Sequence, residues 1–276
     1  MKERNKRALA AQQTIDILKN GFYEVNGTTV SIEKDQKYCV ENTRLIQPDD
    51  ALAYESEQLY QTEFIVKNQT TLEAVTENLS NEGLICLNFA SAKNPGGGFL
   101  GGSQAQEESL TRASGLYPSI SQMTEMYESN RANRSLLYLD YMIYSPGVPV
   151  FKDDQDHLLE KPHLVSIITA PAPNKGAIKN NQPHDLPKVA ETMRRRVKRV
   201  LALALQKGYK NIVLGAWGCG VFQNDPAMVA EIFEQELKNG GEFEGTFIKV
   251  IFGVLDKRNG SIFPEFEKRF AEKVTS

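Results

Sequence analysis

Two adjacent carboxylates, Glu107 and Glu108, close the segment Asn88 to Leu110 (NFASAKNPGGGFLGGSQAQEESL), and five glycines precede them: Gly96, Gly97, Gly98, Gly101 and Gly102. Carboxyl side chains do general acid–base work on glycosidic bonds, where one protonates a leaving oxygen and the other serves water or a hydroxyl. Glycines after a strand leave backbone amides uncovered, so such a loop can wrap phosphate or ribose oxygens. Neighbours on a helix diverge by roughly 100°, because a turn holds about 3.6 residues. Glu107 and Glu108 therefore do not oppose each other as a glycosidase pair does across a cleft; one division of labour open to such neighbours is that one orients a sugar hydroxyl while the other meets a scissile bond. Acidic residues also favour a first helical turn because they complement the helix dipole, and position alone supports that plain explanation. The glycines, the short strand aimed at them, and Gln104 and Gln106 leading into the pair favour a site. One tension follows: the dipole lowers a carboxyl pKa, whereas a general acid at neutral pH needs it raised by burial or by an anion such as a bound diphosphate.

A second loop, Gly215 to Phe222 (GAWGCGVF), follows the strand Asn211 to Leu214. Two such loops side by side can clasp a diphosphate, with Phe222 stacking on a ribose or base, or packing as plain core. Cys219 lies between glycines with no histidine near it in sequence, so its backbone is preferred over its thiol as the working part. Gly96, Gly98 and Gly101 satisfy GxGxxG, but in a dinucleotide site the glycine turn itself opens the helix and an acidic residue ends the next strand. Here the helix starts later and Gln122 to Asn130 is not strand-like, which sets nicotinamide redox chemistry aside.

These loops need elements to hold them. Ala8, Ala11, Ile15 and Leu18 recur at helical spacing before Gly21, giving an amphipathic first helix. Asn26-Gly27 predicts a tight hairpin within Phe22 to Ile32. Glu63 to Lys67 reads as a strand, and Thr70-Thr71-Leu72-Glu73 as a capping box opening a helix toward Leu79, ended by Gly83. Leu84 to Phe89 is an apolar run suited to a strand buried on both faces. Ser103 reads as the N-cap of the next helix, with Gln106 at the capping-box position. Further on, Leu164 to Ala170, Ile212 to Leu214 and Phe247 to Leu255 read as strands. Pro187 to Lys207, the stretch opened by Asp225-Pro226, and Ser261 to Lys273 read as helices. Ala170 to Pro187 reads as irregular, either a binding loop or an ordinary surface loop. Arg194, Arg195, Arg196, Lys198 and Arg199 lie opposite an apolar stripe of Val189, Met193, Val197, Val200, Leu201 and Ala204, so they read as a solvated face. Alternating strands and helices imply a mostly parallel sheet covered on both faces.

The chain of 276 residues is long enough for one large core, and its 41% hydrophobic content excludes disorder as the main state. Lys and Arg number 32 against 35 Asp and Glu, a net charge of -3, which argues against tracking along a long polyanion by bulk attraction. Cys39, Cys86 and Cys219 show no paired spacing, and His157, His163 and His184 form no HExxH pattern, so neither a disulfide framework nor a metal site is expected. The charged N-terminus is not a signal peptide and no run is long enough to span a bilayer, which points to a cytoplasmic protein.

Gly96 to Gly98, seven intervening residues, then Gln106, Glu107 and Glu108 resemble the GGG and QEE signature of poly(ADP-ribose) glycohydrolases in their compact microbial form. The flanks NFASAKNPGGG, AQEESLTRASGLY and GAWGCGVF and the N-terminal helix are similar to that family too, so the likeness runs over most of the chain. The resemblance implies an α/β fold: a three-layer α/β/α macrodomain-like arrangement with a mixed, largely parallel central sheet and an N-terminal helical and hairpin extension. It makes 1–276 one domain, with the extension over about 1–60 and the core over about 61–276. The implied reaction is metal- and cofactor-free hydrolysis of ribose–ribose O-glycosidic bonds to release ADP-ribose. Glu108 would be the catalytic acid/base and Glu107 the partner that holds ribose hydroxyls. Asn94, Gly96, Gly97, Gly98 and Gln106 would line the ribose and phosphate, and Gly218, Cys219, Gly220, Val221 and Phe222 would form the diphosphate loop. Partners would be ADP-ribose, its polymer and ADP-ribosylated macromolecules, with no membrane or bulk nucleic-acid binding. Two alternatives stay open: a hydrolase of single ADP-ribose units on protein or nucleic acid, and a non-catalytic ADP-ribose reader, which the Glu107–Glu108 pair disfavours.

Overall fold

The computed structural model of the chain describes residues 2–55, 59–79, 83–256 and 260–271. In chain order the first elements are α1 (Glu3–Asn20), β1 (Phe22–Val25), β2 (Thr28–Ser31), α2 (Glu33–Asn42), β3 (Arg44–Ile46), β4 (Glu63–Lys67), α3 (Thr71–Glu77) and β5 (Ile85–Phe89). There follow α4 (Gln106–Ala113), α5 (Leu116–Ser121), α6 (Thr124–Ala132), β6 (Met142–Lys152), β7 (Leu158–Ala170) and α7 (Lys175–Asn181). The last are α8 (Val189–Gln206), β8 (Asn211–Leu214), α9 (Pro226–Leu237), β9 (Lys249–Gly253) and α10 (Phe263–Phe270), with 3-10 turns at Phe99–Gly101 and Pro183–Lys188. The chain divides into two compact units, one of Met1–Pro48, Asn88–Asn133 and Tyr141–Pro171, the other of Asp49–Leu87, Arg134–Asp140 and Ala172–Ser276. No helix among the described residues is long and apolar enough to cross a membrane.

In the first unit, α1 ends where Gly21 turns left-handed and its N–H reaches Ile17 O. The hairpin β1–β2 then forms on Asn26 and Gly27, both at positive φ, as a two-residue turn requires. Strands β3, β6 and β7 pair antiparallel in that order. The long β6–β7 pair is bulged between Ser145 and Val148, where Pro146 has no N–H to give and the Gly147 N–H goes to Ser166 Oγ. Ile17, Tyr23, Ile32 and Phe151 form a buried cluster between α1, the hairpin and β6. Lys152, buried beside it, donates from Nζ to Ala10 O and Thr14 Oγ1 at 2.8 Å each, and burial lowers its pKa to about 8. Arg4 and Arg7 on α1 reach the glycine loop, each Nε donating at 2.9 Å, to Gly101 O and Gly102 O. A Cβ on Gly102 would stand 2.0 Å from Arg4 O, so only glycine permits this approach.

The second unit holds four parallel strands in the order β5, β8, β9, β4. All of β8 is buried, as expected for a short apolar strand covered on both faces. The capping box at Thr70 and Glu73 is complete, and Asp225 caps α9 ahead of Pro226. The apolar stripe of α8 is buried along its length, from Val189 through Ala204.

Several expectations change. Helix α3 stops at Glu77, well before Gly83, and the sequence end read as helix to Lys273 passes beyond the described residues at 272. The stretch read as irregular, Ala170 to Pro187, contains α7 and a 3-10 turn, because Asn174 caps the helix by accepting the Ala177 N–H. The basic face of α8 is not simply solvated. Arg196 is only 2% exposed, with its Nε on Asp140 Oδ1 at 2.7 Å and its Nη2 on Tyr138 O at 2.9 Å. Arg195 pairs with the same carboxylate, Arg194 with Glu236, and Lys198 with Glu236 and Glu242. Burial works to raise the Asp140 pKa, but the two arginines outweigh it and hold the group ionised.

Candidate active site

The strand β5 ends in Asn88 and Phe89, and the first turn of α4 is tied to that end by backbone-directed hydrogen bonds. Gln106 Oε1 accepts the Phe89 N–H at 2.8 Å. The helix is not capped by Ser103: its N-cap is Ala105, without a side-chain cap, and the Gln106 carbonyl oxygen serves β5. Gln104 likewise serves the helix, bonding Ser109 Oγ and the Arg112 guanidinium, which is itself paired with Asp156.

Glu107 is 3% exposed. Its Oε2 accepts the Ser91 N–H at 2.6 Å and its Oε1 accepts Asn88 Nδ2 at 3.3 Å, while Asn88 also reaches Thr169 Oγ1. Burial pushes the Glu107 pKa up to about 8; the Glu108 charge adds to the rise, and the Ser91, Asn88 and Gly96 hydrogen bonds oppose it. The carboxyl group is therefore mostly protonated at neutral pH. Glu108 is half-buried and its Oε1 accepts the Gly98 N–H at 3.0 Å. The expected divergence of the pair survives as this difference in burial, yet both carboxylates turn to one residue. A Cβ on Gly97, whose φ is +58°, would lie 2.4 Å from Glu108 Oε1 and 3.3 Å from Glu107 Oε2. The bare backbone of Gly97 is what lets both acids approach.

The amides of the five loop glycines are not left uncovered as expected: Gly96 and Gly98 give theirs to the two carboxylates, Gly97 gives its own to Asn94 O, and Gly101 and Gly102 give theirs to Gly98 O and Phe99 O, closing the turns. The Asn94 side chain is exposed. Sequence reasoning missed the floor of this arrangement, where Asn88 Oδ1, Thr111 Oγ1 and Tyr127 Oη are buried with no protein partner among the described residues. Asn88 carried a signal, a polar residue inside the apolar run ICLNF; Thr111 and Tyr127 carried none. Burial, and then the Glu107 charge, raises the Tyr127 phenol well above its ordinary pKa.

In the second unit, the loop after β8 is shaped by Gly218, at φ +74°, where a Cβ would stand 2.4 Å from Asn224 Nδ2 and 2.7 Å from the Ala172 Cβ. Asn224 braces it, donating to Pro173 O and Gly218 O. The N–H groups of Gly220, Val221 and Phe222 find no acceptor among the described residues, and Gly220 and Val221 are exposed, so these successive donors are available to an anion. Val221 is exposed and Trp217 fully buried. Burial pushes the Cys219 thiol up to about 12, which removes it as a nucleophile. Phe222 is half-buried, with its ring 6.0 Å from that of Tyr138.

A family model for the catalytic domain of microbial-type PARG matches residues 11–153. Among solved structures, the poly(ADP-ribose) glycohydrolase of Thermomonospora curvata bound to the inhibitor ADP-HPD is 43% identical, with a TM-score of 0.90 over 96% of this chain and 100% of that one. The enzyme of Deinococcus radiodurans in complex with ADP-ribose is 42% identical, with a TM-score of 0.79 over 90% of this chain and 98% of that one. No curated protein matches. The fold is thus mixed α/β with a mostly parallel central sheet, of the macrodomain-like kind expected. Since the matched region takes in Gly97 and both carboxylates, and the solved relatives extend the likeness to nearly every residue, the chain belongs to the microbial-type poly(ADP-ribose) glycohydrolases, glycosidase-type hydrolases.

Proposed function

We propose that the chain hydrolyses the ribose–ribose O-glycosidic bonds of poly(ADP-ribose), releasing ADP-ribose, without a metal. The observation that carries this reading is the convergence of Glu107 and Glu108 on Gly97, with one acid buried and the other at the surface of the loop. Glu108 gives its proton to the departing ribose oxygen as the C1″–O bond breaks and an oxocarbenium-like centre develops. It then takes a proton from the water that attacks that centre, which restores the acid. Glu107, neutral near pH 7, both donates to and accepts from ribose hydroxyls. Asn94, Gly96, Gly97, Gly98 and Gln106 line the ribose side. The Gly218 to Phe222 loop takes the diphosphate on the N–H groups of Gly220, Val221 and Phe222, with Cys219 and Val221 contributing backbone and Phe222 its ring. The unpaired, buried thiols of Cys39, Cys86 and Cys219 suit a reducing cytoplasm.

The test is release of ADP-ribose from the polymer in the presence of a chelator, run beside a protein carrying single ADP-ribose units. Glu108→Gln is expected to abolish turnover and keep ADP-ribose binding; full activity in that variant would sink the mechanism. Cleavage of the single unit alone would move the assignment to a mono-ADP-ribosyl hydrolase, and binding without any cleavage would make the protein a reader.

A further inference from the structure

Tyr138 has a φ of +62°, the left-handed region that a bulky side chain enters only when its surroundings over-determine it. Those surroundings are built for the purpose. The buried Arg196 guanidinium donates to Tyr138 O at 2.9 Å and is itself held by Asp140, two residues on. Asn174 Nδ2 donates to the Tyr138 hydroxyl at 3.3 Å while Asn174 Oδ1 caps α7 through the Ala177 N–H. The Asn174 N–H goes to Leu136 O, and Gln182 grips the same segment at Leu136 N and Arg134 O. Segment 134–140 is thereby stitched to α7 and α8 at both ends of the tyrosine.

What this clamp delivers is a ring. The Tyr138 ring lies 6.0 Å from that of Phe222, tilted by 50°, within the range of a favourable aromatic pair. The Phe222 backbone is fixed from the other side, its carbonyl accepting the Gly176 N–H at 2.9 Å at the start of α7. An asparagine or glycine at 138 would relieve the backbone and leave the Arg196 bond to the carbonyl in place, so what the tyrosine adds at this strained position is its ring against Phe222 and its hydroxyl on Asn174. We propose that Tyr138 is a positioning residue of the nucleotide site, holding the Phe222 ring in the orientation that stacks on bound ADP-ribose. This rests on the reading of the Gly218 to Phe222 loop as the ligand loop.

The experiment measures ADP-ribose affinity by calorimetry, KM and kcat on the polymer, and Tm, for the full chain and for Y138N, Y138F and F222A. In Y138N the affinity is expected to fall about two- to tenfold, the usual worth of one aromatic pair. KM should rise in step, kcat should stay within about twofold, and Tm should hold or rise, because asparagine tolerates the left-handed backbone. Y138F, which keeps the ring, should restore binding, and F222A should weaken it at least as much as Y138N. If F222A weakens binding and Y138N does not, Tyr138 has no positioning role and the ligand-loop reading stands. If F222A binds normally, that reading fails and the proposal with it. Loss in Y138N that Y138F shares assigns the effect to the hydroxyl on Asn174, and loss that comes with a lower Tm assigns it to the fold; either overturns the role of the ring.

Discussion

Replacing Glu107 by glutamine should stabilise the protein, and by an amount that grows with pH. The carboxyl pKa is raised from 4.5 to about 8 by burial and by Glu108. Below pH 4.5 the group carries its proton in the folded and the unfolded chain alike, and stability does not depend on it. Between 4.5 and about 8 the unfolded chain releases the proton while the folded chain keeps it, so folding loses roughly 1.4 kcal/mol for each pH unit. Over the whole window the loss reaches about 5 kcal/mol, and above the folded pKa it stays constant. Glutamine has the same shape and no charge to bury. Its oxygen can keep the Ser91 N–H, and its nitrogen can donate to Asn88 Oδ1, which otherwise has no protein partner among the described residues, once that amide turns over. A chain of this size gains about 2–4 °C for each kcal/mol. Thermal scans of the wild type and E107Q from pH 4.5 to 9 should therefore show curves that coincide at the acid end and part by roughly 10 °C or more at pH 8, while turnover of the polymer falls. A separation that does not change with pH, or a variant less stable throughout, would refute the assignment of a neutral, buried Glu107.

Other perturbations test the neighbouring parts. Gly97→Ala puts a methyl group on a left-handed residue 2.4 Å from Glu108 Oε1, and should cost on the order of 1–3 kcal/mol in a chemical melt together with most of the polymer turnover. Asp140→Ala strands the buried Arg196 guanidinium and should cost about 3–5 kcal/mol, far more than Arg195→Ala, whose side chain is half exposed; parallel urea titrations compare the two. Tyr127→Phe removes a buried hydroxyl with no protein partner among the described residues, so Tm should hold or rise, since an unsatisfied buried group costs about 1–3 kcal/mol.

How far the sequence reveals this molecule depends on the range of the interactions involved. The hairpin at Asn26-Gly27, the capping box at Thr70 and Glu73, and the strand feeding the glycine loop are local, each decided by residues within a turn of one another, and each is where the pattern puts it. Of the long β6–β7 pair only Leu164 to Ala170 is read from the sequence; Pro146, Gly147, Pro149 and Pro162 interrupt the strand pattern of the rest. They are accommodated by a bulge and by partners more than ten residues away, which no local pattern encodes. Arg196 read as a solvated charge because Asp140, which buries it, lies 56 positions away.

The carboxylate pair shows the same limit in energetic form. Glycines and acids at a fixed spacing marked the site, and the helix dipole then argued that both acids should be strong ones. At a helix N-terminus the dipole favours the ionised form by about 0.3–1 kcal/mol. Removing Glu107 from water beside a second carboxylate works against it by about 5 kcal/mol, so burial decides. What places Glu107 below and Glu108 above is the angle at which Gln106 fastens α4 to Phe89 and Asn88 meets Glu107 from β5. That angle is a tertiary property, set by two elements 17 residues apart. It converts two chemically identical neighbours into one buried carboxyl with a raised pKa and one half-exposed carboxylate.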